Sequence, residues 1–180
     1  MALSTKRQQE KKARKQRKRK QRSNTLNPTQ VSRYLSPIVE SVVYRDIWER
    51  GIGTVLIARR LPDGHLLMAN YLVDTWCLGL KDAFVREVTR GMLDDFLSQQ
   101  PLETHSPEYC KALIMSAIEY GKANGLRPKL DKKSKQMIAS IKYVPNKYSF
   151  EFGKDGQPLY INGPYDEELL SHMLEKEMIT

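Results

Sequence analysis

Two apolar runs, GTVLIARR from Gly53 and HLLMANYLV from His65, stand on either side of Pro62-Asp63-Gly64. Pro fixes φ for a type I turn and Gly accepts φ > 0, so the two runs are expected to fold back as a β-hairpin in a locally specified register. In the first arm Thr54, Leu56 and Ala58 share one face and Val55, Ile57 and Arg59 the other. In the second, Leu67, Ala69, Tyr71 and Val73 oppose Leu66, Met68, Asn70 and Leu72. Both faces are largely apolar, which places the hairpin in the middle of a domain with helices over at least one side.

The elements around it follow from shorter signals. The β-branched run from Ile38 to Tyr44 predicts a first strand, with Arg45 to Gly51 as a connection containing Trp48. Phe84, Val88, Met92 and Phe96 recur at four-residue spacing and predict a helix over Phe84 to Leu97. Ser106-Pro107 offers a capping hydroxyl and a Pro at the first helical position, and Cys110, Leu113, Ile114, Ala117 and Ile118 form the apolar face that follows. A shorter helix is expected from Asp131 to Ile141. Tyr148, Phe150 and Phe152 alternate with Ser149 and Glu151 ahead of a Gly153 to Gln157 turn, predicting a second hairpin that returns through Leu159 to Ile161, and a last helix is expected after Asp166. The fold class is α+β: an apolar central hairpin within a small antiparallel sheet covered by helices, then a second, C-terminal hairpin and a final helix.

Charge divides the chain differently. Residues 1 to 22 hold eleven bases, Lys6, Arg7, Lys11, Lys12, Arg14, Lys15, Arg17, Lys18, Arg19, Lys20 and Arg22, against Glu10 alone. Subtracted from the 30 bases and 21 acids of the whole chain, they leave 19 bases against 20 acids in residues 23 to 180. The surplus positive charge therefore belongs to a leading segment rather than to a basic domain. That segment has no apolar face and is expected to be disordered alone, neutralising phosphates with release of counterions when it meets a polyanion. It offers no arrangement tied to base edges, so sequence-specific readout is not expected from it. Residues 23 to 37 mix Ser, Asn, Thr and Pro and are expected to be a linker, with a single domain over 38 to 180.

Cys77 and Cys110 are the two cysteines, with no CxxC, and the chain has no apolar run of membrane-spanning length. The cytoplasm is the expected compartment, with no membrane partner. Gly51-x-Gly53 lacks the rest of a dinucleotide fingerprint or P-loop. His65, His105 and His172 show no paired spacing, so neither a metal nor a cofactor is expected.

One loop carries candidate chemistry. Asp74, Cys77, Lys81 and Asp82 cluster where the second arm ends. Read as a catalytic site, Cys77 is a nucleophile, or Asp74 and Asp82 hold a divalent cation for phosphodiester cleavage with Lys81 stabilising charge. Read structurally, Asp74 caps or turns the chain, Cys77 and Trp76 pack, and Asp82 begins a helix by accepting amide hydrogen bonds. Tyr148, Phe150 and Tyr160 have rings of the kind that stack bases, although alternation of this type reads first as core.

The residues YLVDTWCLGLKDAF (Tyr71 to Phe84), AIEYGKANGLRP (Ala117 to Pro128) and FGKDGQPLYINGPYDE (Phe152 to Glu167) resemble a family of small uncharacterised bacterial proteins with a basic N-terminal tail and a YLVD-x-x-CLG-x-KD motif. The resemblance implies no activity, cofactor or catalytic residue. The expected function is that of a cytosolic nucleic-acid-associated protein, RNA- or ribosome-associated, anchored by its basic tail. Two alternatives stand beside it: a metal-dependent nuclease using the Asp74 to Asp82 loop, and a protein-interaction module whose tail is a solubiliser.

Overall fold

A computed structural model describes residues 32–128 and 130–161. The elements are β1 (Ile38–Tyr44), α1 (Ile47–Arg50), β2 (Ile52–Arg60), β3 (Leu66–Asp74), β4 (Gly79–Val88), α2 (Arg90–Ser98), β5 (Leu102–Thr104), α3 (Pro107–Ala123) and α4 (Lys132–Ala139). The five strands form one antiparallel sheet in the order β4-β3-β2-β1-β5, so the fold is α+β with a small sheet.

The hairpin occupies the interior of that sheet. Its ladder runs from Ile52 opposite Asp74 to Arg60 opposite Leu66. The turn closes with the Leu61 amide donating to the His65 carbonyl at 2.8 Å while Gly64 takes φ 87°. β2 and β3 have a paired strand on each edge and helices over each face, which is why neither arm shows a polar stripe. On one face Leu56, Ala58, Leu66, Met68 and Val88 pack with Leu93 of α2, and Phe96 and Leu97 lie against the same cluster. The other face meets α3 and α4. There the Tyr71 hydroxyl donates to the Ser134 carbonyl at 2.7 Å, and Arg59 donates to the Met137 carbonyl at 3.0 Å.

Residues Phe84 to Val88 correct the sequence expectation. They continue β4, paired from Phe84 opposite Asn70 to Val88 opposite Leu66, and the helix starts only at Arg90, capped by Thr89, whose side chain accepts from the Met92 amide at 3.3 Å. A four-residue recurrence puts Phe84 and Val88 on one side of a strand as readily as of a helix. The free edge of β3 supplied the ladder that decided it. The expected connection holds the short helix α1, α3 begins where its cap predicts, and α4 runs Lys132–Ala139 within the expected 131–141. Ser106 accepts from the Tyr109 amide at 3.2 Å, and Asp131 from the Ser134 amide at 2.7 Å.

The second hairpin forms only its turn. Lys154 and Gln157 exchange backbone bonds of 2.7 and 3.0 Å, with Gly153, Asp155 and Gly156 at positive φ, but Tyr148 to Phe152 and Leu159 to Ile161 are not strands. Their backbone groups bond elsewhere. The Gly153 amide donates to the Thr75 carbonyl at 2.8 Å and the Leu159 amide to the Trp76 carbonyl at 3.1 Å, so the segment straps the β3–β4 turn instead of pairing with itself. The helix expected after Asp166 and the segment 1 to 22 lie outside the described residues, as does most of the expected linker. Within the expected linker, Tyr34 is buried and its carbonyl accepts from the Ser140 hydroxyl.

Candidate functional site

The turn joining β3 to β4 is built by Asp74. Its Oδ1 accepts from the backbone amides of Trp76 at 3.0 Å and Cys77 at 2.8 Å. Burial raises the pKa of this carboxyl, opposed by the amides of Cys77, Leu78 and Trp76 and by the Lys81 ammonium. The turn then lies flat on α3. A Cβ at Gly79 would strike the carbonyl oxygen of Ala117, and one at Gly121 would come within 2.7 Å of the Leu78 carbonyl oxygen. Both glycines are needed because backbone meets backbone there.

That contact determines what the turn presents. Cys77 faces inward and is fully buried, packed with Leu78 against Leu126 and Tyr160. Burial first, and Asp74 second, push its thiol up to about 12. A thiol in that state carries almost no thiolate at neutral pH. Lys81 is half-buried, and Asp82, expected to begin a helix, is instead exposed in the middle of β4, opposite Leu72, accepting from the Ala83 amide at 2.8 Å. Among the described residues, the donors that gather within 4.8 Å of one another are Asp63, His65 and Glu87 at the far end of the hairpin, all exposed, and not Asp74, Cys77 and Asp82. The second cysteine, Cys110, is also buried, and burial pushes its thiol up to about 12.

The same turn directs Trp76 outward, into an aromatic groove. Its indole Nε1 donates to the Trp48 carbonyl at 3.0 Å, and its ring lies over Gly51, where a Cβ would collide with it. Trp48, carried by α1, stacks on Phe150 with centroids 5.9 Å apart and meets Phe152 edge-on at 5.8 Å. Tyr109, from the first turn of α3, meets Tyr148 and Phe150 edge-on at 5.2 and 5.4 Å, and its other neighbour is His105, stacked at 4.4 Å. These rings are half-buried. They line an open groove of about 670 Å³. A second cavity of about 300 Å³, lined by Lys142, Val144 and Lys147 among others, shares Tyr148 with it.

Charge sits on the rim. The Lys154 ammonium lies 4.8 Å from the Trp76 ring and that of Lys147 5.0 Å from the Tyr148 ring, within cation–π range. Hydrogen bonding with Ser106 and then Lys147 holds the Tyr148 phenol below its ordinary pKa. Glu151 and Asp155 also line the groove.

The sequence places Tyr148 and Phe150 in a strand, reads Trp76 as packing beside Cys77 where it is half-buried and lines the groove, and singles out neither Trp48 nor Tyr109. The available signal was that the chain has only two tryptophans, each beside a strand end, where a large ring is easily left at the surface. Tyr160, grouped with the ring residues in the sequence, instead packs on Cys77 and Leu78. The eleven bases of the leading segment lie outside the described residues, and within them Lys132, Lys133 and Lys135 of α4 are exposed. Compared with known proteins, the chain matches no family model, no curated protein and no solved structure.

Proposed function

We infer that this protein associates with nucleic acid, RNA being the expected polymer and the cytoplasm the expected compartment, and that Lys6 to Arg22 is its electrostatic anchor. The observation that carries this reading is the charge split: eleven bases against one acid in 22 residues, ahead of a remainder with 19 bases and 20 acids. A near-neutral body has no reason of its own to hold a polyanion at long range, whereas a dense run of Lys and Arg gains affinity from every counterion it displaces. The described residues contain no helix long and apolar enough to cross a membrane. The Asp74 turn supports a structural reading of that loop, since its carboxyl is spent on backbone amides and its thiol is enclosed.

The test is the slope of affinity against salt. For single-stranded RNA, log K falls with log salt by about 0.7 for each phosphate contacted. The full chain is expected to show a steep slope, and a variant with the eleven bases changed to Gln a shallow one with its thermal unfolding unchanged. Equal affinity of the two proteins at every salt concentration overturns the anchor.

A further inference from the structure

We propose that the groove between Trp48, Trp76, Tyr109 and Phe150 stacks the bases of a single-stranded nucleic acid, giving the folded body its own contact with the polymer. This rests on the nucleic-acid reading above and adds a second site to it.

Three features point to this ligand. The groove is lined by rings from three separate parts of the chain, α1, the β3–β4 turn and the 148–152 segment, with Tyr109 of α3 beside them, and they remain half-buried instead of closing into the core. Half-buried rings gathered around an open cavity suit planar aromatic partners. Next, the rim carries ammonium groups already seated over rings: Lys154 on Trp76, and Lys147 on Tyr148. Lys142 and Lys147 line the adjoining cavity beside Tyr148, two ammonium groups against the one carboxylate of Glu108. A strand can then run its phosphates along Lys142 and Lys147 with its bases turned toward the rings. Glu151 and Asp155 also line the groove and offer acceptors for exocyclic amino groups.

The occupant is selected by charge. An aromatic groove also suits a proline-rich peptide, but this chain carries its whole positive surplus on one segment, and the partner that segment attracts is a polyanion. Duplex is excluded from the proposal because its bases are already stacked on one another and cannot enter a groove of rings.

The chain's two tryptophans both line this groove, and residues 1 to 22 contain no aromatic residue, so intrinsic tryptophan emission reads the groove while remaining blind to the tail. The experiment titrates the full chain with oligouridylate of about twelve nucleotides, within the range of known single-strand sites. Duplex RNA of the same length, inorganic polyphosphate and a proline-rich peptide serve as comparisons. Binding is followed separately by anisotropy of a labelled oligonucleotide. Oligouridylate is expected to quench the emission, and polyphosphate to bind without quenching. Phe150→Leu, which keeps an apolar side chain but removes the ring that stacks on Trp48 and Tyr148 and so disorders the aromatic wall, is expected to weaken oligouridylate binding about tenfold while polyphosphate binding stays unchanged. Lys142→Gln with Lys147→Gln, at exposed positions that do not threaten folding, is expected to weaken it severalfold and keep the quenching at saturation. Anisotropy showing bound oligonucleotide with no change in emission overturns the groove and leaves the tail anchor standing. Quenching that survives unchanged in affinity when the tail bases are replaced by Gln overturns the anchor and leaves the groove. Equal quenching by duplex, or quenching by the peptide alone, overturns the assignment of the ligand.

Discussion

Trp76 Nε1 donates to the backbone carbonyl of Trp48 across 3.0 Å, joining the turn after β3 to the short helix before β2. The bond fixes one ring by the main chain that carries the other, so the two indoles are placed by a single local arrangement. Beneath it the Thr75 hydroxyl donates to the Ile47 carbonyl at 3.1 Å and the Thr75 amide to the Gly51 carbonyl at 2.7 Å. The groove floor is thus tied to the sheet by hydrogen bonds that do not depend on the 148–157 segment, which lies over it.

Asp74→Asn keeps an oxygen acceptor for the amides of Trp76 and Cys77 and removes a charge that burial disfavours. It is expected to change stability by less than about 1 kcal/mol at pH 7, whereas Asp74→Ala, leaving two amides without their acceptor, is expected to cost about 1–3 kcal/mol. Denaturant midpoints of the two variants check this. A large loss in the Asn variant would mean that the carboxylate charge itself matters.

Gly79→Ala sets a Cβ against the Ala117 carbonyl at a residue with φ 70°, and no small rotation relieves backbone meeting backbone. A loss of about 2–4 kcal/mol is expected. Gly91→Ala, in α2 with nothing within 4 Å of the new methyl, is expected to gain about 0.5–1 kcal/mol. Thermal unfolding of both variants, compared with the parent, measures the contrast.

Arg59 is buried on the α4 side of β2 and donates to the Ser36 carbonyl at 2.6 Å, the Met137 carbonyl at 3.0 Å and the Ser140 hydroxyl at 2.8 Å. These acceptors lie on segments far apart in sequence, and the flat guanidinium reaches them together. Arg59→Lys, with one ammonium in place of the fork, is expected to cost about 1–3 kcal/mol and to loosen α4 against the sheet. Faster amide hydrogen exchange in Lys132–Ala139 is the local readout.

The thiols of Cys77 and Cys110 are both pushed up to about 12 by burial, from an ordinary value near 9 in the open chain. The folded state therefore keeps protons that the unfolded state releases, so this part of the stability is full below about pH 9 and is lost as pH rises toward 12. Unfolding free energy is expected to fall between pH 9 and pH 11, less steeply in the Cys77→Ala, Cys110→Ala double variant. A thiol reagent at pH 8 is expected to label the native chain only at the rate at which it opens.

The local elements of this protein were set by sequence alone. β1 runs from Ile38 to Tyr44, the β2–β3 hairpin closes around Pro62-Asp63-Gly64, and α3 starts after Ser106, all as turn chemistry, capping and alternation require. Each of these signals acts over a few residues, so no distant partner has to be known. The uneven charge of the first 22 residues is likewise written in composition. Phe84 to Val88 and Tyr148 to Phe152 were decided by tertiary structure. Phe84 and Val88 fit a strand or a helix equally until the open edge of β3 accepts them, and the aromatic alternation from Tyr148 became a strap because Thr75 and Trp76 offered carbonyls that a second arm did not. The groove is legible only in three dimensions for the same reason. Trp48, Trp76, Tyr109 and Phe150 are scattered over about a hundred residues, and they meet only where Trp76 bonds the Trp48 carbonyl, Phe150 stacks on Trp48 and Tyr109 meets Phe150 edge-on.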